Sequence, residues 1–141
     1  MVMYEYRVDL KRIIDGDTFV AMFDLGFKIH REETVRLAGI NTPESRTRNL
    51  EEKKHGLAAK KFLDAALHDA EKVVVQVEAM GKFGRALGVV YCDDVNVNKV
   101  LIAKGYAYPY GGERKLNYEE QLVEYPAMKE VYDELHQTKG S

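Results

Sequence analysis

The chain has 141 residues, 45% of them apolar and 31% charged, with a formal net charge of −2. This describes a soluble globular domain with a real core, too short for two ordinary domains and without any apolar run near the roughly 18 residues that span a bilayer. A slightly acidic chain does not coat nucleic acid by bulk electrostatics, although a site that grips a single phosphate needs no basic surface.

The first ten residues interleave Glu5, Arg7 and Asp9 with apolar side chains, so they lack the continuous apolar stretch of a secretory leader. A cytoplasmic monomer is the expectation, and an exported protein only if a leader has been removed. One cysteine, Cys92, rules out an internal disulfide and reads as a half-buried thiol at a strand end.

In chain order, residues 4–14 and 18–27 are β-rich runs separated by the tight-turn composition Asp15-Gly16-Asp17. A second turn is expected near Leu25-Gly26 and a third strand over 33–40, which Pro43 stops because it has no N–H to donate. From Ala59 the apolar positions Ala59, Phe62, Leu63, Ala66, Leu67 and Ala70 follow the helical period. Residues 72–79 switch to a period of two, the loop Met80-Gly81-Lys82-Phe83-Gly84-Arg85 follows, and 86–91 form a fifth strand closed by Asp93-Asp94. A short helix carries Val97, Val100 and Leu101 on one side, with Gly105 as its C-terminal stop. Residues 117–137 read as helical, with Asn117 and Glu120 spaced as a capping box and Pro126 dividing the run. The order β-β-β-α-β-β-α-α predicts an α+β, β-rich fold: a five-stranded Greek-key barrel of the OB type, with a helix between strands 3 and 4 and C-terminal helices. The core is expected over residues 4–110 and a helical tail over 116–138.

Three segments place polar residues at strand ends: Asp15-Gly16-Asp17-Thr18, then residues 36–44 from Arg36 to Glu44, then Lys82-Phe83-Gly84-Arg85. Each alone is a common turn or surface composition. Together, Ile14-Asp15-Gly16-Asp17-Thr18, Val35-Arg36-Leu37, Asn41-Thr42-Pro43-Glu44 and Lys82-Phe83-Gly84-Arg85 resemble the staphylococcal nuclease (thermonuclease-like) family in order and spacing, from about Tyr6 to about Tyr108.

The resemblance implies a calcium-dependent nuclease that hydrolyses phosphodiester bonds of DNA, and of RNA, leaving the phosphate on the 3′ side. It implies that Asp17 is the first metal carboxylate and that Thr42 offers a backbone carbonyl to the same ion. Glu44 would be the general base or water-orienting group, and Arg36 and Arg85 the two arginines that clamp the phosphate. Lys82 would add a substrate contact. The family's second metal carboxylate falls at Asn41, which offers an amide oxygen but no charge, so weaker calcium binding is expected. Asp15 is read as shaping the hairpin.

Two further segments carry two readings each. In Tyr106-Ala107-Tyr108-Pro109-Tyr110, Tyr108 or Tyr110 is either a surface on which a base stacks or part of a packing strip under the last helix. Arg46, Arg48, Lys53, Lys54 and His55 are either a loop contacting phosphates or the solvated start of a helix. No role is assigned to His30, His68 or His136. At the level of the whole chain, the competing function is a nuclease-like OB module that binds nucleic acid or protein without turnover. Keeping Arg36, Glu44 and Arg85 together favours the enzyme, and Asn41 favours the binder.

Overall fold

A computed structural model describes residues 4–81 and 84–137. Its elements are β1 (Tyr4–Asp15), β2 (Thr18–Asp24), β3 (His30–Leu37), β4 (Ile40–Asn41), α1 (Leu50–Asp69), β5 (Val73–Met80), β6 (Ala86–Cys92), β7 (Val95–Asn96), α2 (Val97–Ala103), β8 (Tyr108–Pro109), α3 (Tyr118–Glu124) and α4 (Pro126–Leu135).

Five strands pair in the order β3-β2-β1-β5-β6, and a parallel pairing of β6 with β3 closes the ring into the OB-type barrel expected from the sequence. Closure removes the sheet edges, and it also sets the site. The register Val35↔Ala86 and Arg36↔Leu87 brings Arg85, just before β6, beside the Arg36 end of β3. At the seam Gly88 is required: a Cβ there would stand 2.6 Å from a Val75 methyl. Inside lie Phe19, Val35, Leu37, Leu63, Val75 and Val90, all fully buried.

The expected turns form for visible reasons. Gly26, Phe27 and Lys28 all have positive φ in the β2–β3 connection, so the turn spans Leu25 to Ile29, bridged at both ends by backbone hydrogen bonds of 2.9 Å. β2 therefore ends at Asp24 and β3 begins at His30, each shifted from the expected limits. Asp93 and Asp94 take the left-handed conformations of a two-residue hairpin turn, which creates the unpredicted short strand β7.

Helix α1 starts at Leu50, well before the expected Ala59, with Asn49 accepting from the Glu51 and Glu52 amides at 3.1 Å. Its first turns bury His55 and Gly56, which no apolar periodicity can register. The second reading of the basic run therefore holds from Leu50 on, but His55 leaves that run for the interior. The C-terminal expectations hold as well. Gly105 (φ +83°) follows α2, Asn117 and Glu120 make the reciprocal capping box, and Pro126 sits at the first turn of α4 after dividing it from α3. Cys92 is buried at the end of β6, and burial together with Asp93 pushes its thiol up to about 11, the behaviour of an inert packing group.

His55 joins three elements. Its Nε2 lies 2.8 Å from the Gly105 carbonyl and its Nδ1 2.7 Å from the Tyr118 hydroxyl. A carbonyl only accepts, so Nε2 carries a proton, and in the neutral ring that burial favours Nδ1 accepts from the Tyr118 hydroxyl. Burial holds the His55 pKa below its ordinary 6.5, with His136 also lowering it and the Gly105 bond opposing. The unfolded chain thus takes up this proton first as pH falls, and stability present above pH 6.5 is lost below it. Urea midpoints measured from pH 7.5 down to 5 should decline, and the decline should be shallower in His55→Gln. Parallel curves would show that His55 contributes nothing to it.

Candidate functional site

The turn between β1 and β2 supplies the acidic side. Asp17 is nearly buried. Its Oδ1 accepts from the Thr18 hydroxyl at 2.9 Å and its Oδ2 lies 3.5 Å from Arg36 Nη1. Thr18 pairs directly with Arg36 across β2 and β3, so the turn carboxylate and the strand guanidinium are cross-strand neighbours by register. Arg36 also donates from Nη1 to the Leu37 carbonyl at 2.8 Å, which fixes the plane of its fork.

Glu44 follows Pro43 and is held at three points. Its amide donates to Glu52 of α1 at 3.0 Å. The next residue, Ser45, is buried and donates its hydroxyl to Asp15 at 2.5 Å. The Glu44 carbonyl abuts Gly56, where a Cβ would come within 2.5 Å of the oxygen. Asp15 thus ties the hairpin turn to the Glu44 loop as well as shaping it, a role that only the fold reveals because Ser45 lies thirty residues away in sequence.

A cleft of about 130 Å³ is lined by Asp17, Arg36, Asn41, Thr42, Glu44 and Arg85. These are the catalytic and metal positions read from the sequence, gathered from separate segments. Asp15 and Lys115 also face it, and the sequence does not single out Lys115, since nothing local marks it within residues 111–117. Glu44 is exposed at the rim of the cleft, and its partial desolvation there raises its pKa; Lys115 opposes this, and Glu52, Asp17 and Asp15 add to it. Arg85 Nε is buried without a hydrogen-bond partner among the described residues. An unpaired buried guanidinium N–H is costly unless something arriving in the cleft accepts from it.

The acidic and amide side chains lining the cleft, Asp17, Asp15, Glu44 and Asn41, offer hard oxygens. Among the described residues no three Asp, Glu, His or Cys side chains form a metal cage by themselves. Such a set fits calcium, which accepts carbonyl and water oxygens in a tolerant geometry, and it does not fit zinc. Asn41 sits opposite Tyr108 in the β4–β8 pair and donates from Nδ2 to its hydroxyl at 2.8 Å. Among the described residues its Oδ1 accepts one long contact, at 3.5 Å from Arg36 Nη2.

Of the two tyrosines, Tyr108 is 2% exposed, stacks on Tyr125, and its hydroxyl accepts from Asn41 and from the Leu116 amide. It offers no face to a base: the stacking expectation is corrected for Tyr108, and the packing reading is the one its burial supports. Tyr110 is only half-buried and lines a larger groove of about 610 Å³ that adjoins the cleft and shares Arg36, Arg85 and Lys115 with it. Lys82 lies outside the described residues.

The family pattern described as "Staphylococcal nuclease homologue" matches residues 34–131. A "Thermonuclease" of Staphylococcus intermedius is 33% identical over 99 residues, covering 70% of this chain and 56% of the relative. A "Micrococcal nuclease" of Shigella flexneri is 30% identical over 116 residues, covering 75% and 59%. An uncharacterized protein of Bacillus anthracis is 33% identical over 96 residues, covering 67% and 42%. The chain thus spans about half the length of the curated relatives it matches. Among the described residues no helix is long and apolar enough to cross a membrane.

Proposed function

The chain belongs to the staphylococcal nuclease homologue family, and on that premise we propose that it is a calcium-dependent phosphodiesterase acting on single-stranded DNA and RNA. The observation that carries the reading is the meeting of Arg36, Glu44 and Arg85 in one small cleft, with the Arg85 Nε–H unsatisfied.

Each group has work suited to its chemistry. The two guanidiniums donate planar forks to the non-bridging phosphate oxygens, where charge builds as water attacks. Glu44, its affinity for a proton raised by partial desolvation and by neighbouring carboxylates, takes the proton of that water as the new P–O bond forms, while the bond to the leaving oxygen breaks and that oxygen is protonated from solvent. Asp17, the Asn41 amide oxygen and the Thr42 carbonyl would hold calcium, which supplies Lewis-acid polarisation of the phosphoryl group when bound. The cleft admits a phosphate but not a nucleoside, so the flanking base falls to the adjoining groove, with Tyr110 as its stacking surface.

Hydrolysis of single-stranded DNA should appear with calcium and vanish with chelator. Asn41→Asp should reach half-maximal rate at roughly tenfold lower calcium, because it adds a formal charge to a site with few. A second reading, a binding module without turnover, is favoured by the neutral Asn41 and its bond to Tyr108. Oligonucleotide binding with no cleavage in calcium, magnesium or manganese, by the wild-type chain and by Asn41→Asp alike, would establish that reading instead.

A further inference from the structure

Two cavities meet at three cations. Arg36 and Arg85 come from the barrel, and the third, Lys115, comes from the connection between β8 and α3. That connection is pinned along its length. The Tyr110 amide donates to the Gly39 carbonyl at 2.9 Å, and the Gly111 amide to the Glu113 carboxylate at 3.0 Å. Arg114 forks onto Glu120 through contacts of 3.0 and 2.9 Å, and the Leu116 amide donates to the Tyr108 hydroxyl at 3.1 Å. Both neighbours of Lys115 are thus held, and Tyr108 is itself bonded to Asn41 in the cleft. Lys115 is exposed and has no hydrogen bond or ion pair to a carboxylate among the described residues, although its charge is felt at Glu44.

We propose that Lys115 is a substrate-binding residue that holds the phosphate next to the scissile one, where the small cleft opens into the larger groove. The proposal rests on the nuclease reading. A strand whose scissile phosphate lies between Arg36 and Arg85 and whose flanking nucleoside lies beside Tyr110 must cross the boundary that Lys115 shares with both. A flexible ammonium suits a phosphate that needs anchoring rather than planar recognition, whereas the two arginines suit the reacting one.

The test is fluorescence anisotropy of a short labelled single-stranded oligonucleotide in chelator, across a sodium chloride series, for the wild-type chain, Lys115→Ala and Lys115→Arg. Wild-type binding should weaken with salt. Lys115→Ala should bind about tenfold more weakly, with its log–log salt slope flatter by about 0.7, the value of one phosphate contact on a single strand. Lys115→Arg should keep most of both. Equal affinity and equal slope for wild type and Lys115→Ala would overturn the proposal while leaving the nuclease reading intact. The same holds if the only change is a shift in the acid limb of the hydrolysis pH profile, which would mean that Lys115 acts through Glu44. Failure of the wild-type chain to bind the oligonucleotide in chelator would overturn the proposal, and failure also to hydrolyse it with calcium would defeat the nuclease reading as well.

Discussion

Arg85→Ala is expected to lower the turnover of single-stranded DNA by roughly 10²–10³-fold, about 2.7–4 kcal/mol of transition-state stabilisation, with little change in melting temperature. The magnitude follows from the place of the guanidinium. It is half-buried at the mouth of a closed barrel, and its Nε–H has no partner among the described residues. A donor already satisfied in the free protein gains little when charge develops on the substrate; an unsatisfied one gains its full hydrogen bond at that moment. Because the substitution breaks no hydrogen bond to Arg85 Nε among the described residues, the fold should not suffer. Arg85→Lys should recover only a small part of the rate, since an ammonium cannot fork onto two oxygens. Arg36→Ala should differ in kind. Arg36 bonds the Leu37 carbonyl and faces Asp17, so its loss should disturb calcium affinity together with rate. Single-turnover kinetics with saturating calcium separates the two, and a wild-type rate for Arg85→Ala would remove the phosphate clamp from the mechanism.

The sequence is most informative where local chemistry and global fold agree. The alternation in β5, the strand β6, the Asp15-Gly16-Asp17 turn, the capping box at Asn117 and the division at Pro126 are each decided within a few residues, and each stands in the structure as expected. The candidate site residues are legible through the family resemblance, because their spacing along three segments reflects strand ends that closure of the barrel must bring together.

What stays hidden depends on distance in sequence. His55 reads as one more basic residue in a charged run, yet it is fully buried against Tyr118 and Gly105, sixty-three and fifty residues away. Asn98 carries no local signal either, but its amide joins Val90, Ala38 and Gly88 and so stitches α2 to the closing strand. Tyr108 is ambiguous for the same reason. A tyrosine can stack or pack, and only the positions of Tyr125 and Asn41 decide which. The start of α1 escapes the apolar pattern because its buried face there is made of a histidine and a glycine, neither of which adds to an apolar period.

That glycine supports the second large expectation. Gly56 lies within α1, where replacement by alanine ordinarily stabilises a helix by about 1 kcal/mol. Here the added methyl carbon would meet the Glu44 carbonyl oxygen at 2.5 Å, its carbon at 2.6 Å and the Pro43 oxygen at 2.7 Å. All three obstacles are backbone, so no side-chain rotation relieves them. The same helix approaches the other half of the site at Gly16, whose Cβ would meet Ala59 at 2.7 Å. With α1 pressed against both the hairpin turn and the Glu44 loop, it cannot retreat from one without loosening its seat on the other. Overpacking of this kind costs about 1–3 kcal/mol and outweighs the propensity gain. The Glu44 backbone must also shift, and a displacement near 1 Å at a reacting group costs on the order of 10²-fold in rate. Gly56→Ala is therefore expected to lower both the melting temperature and the turnover, while Leu57→Ala, at the exposed next position, should change neither by much. A Gly56→Ala chain more stable than wild type and fully active would mean that α1 does not set the position of Glu44.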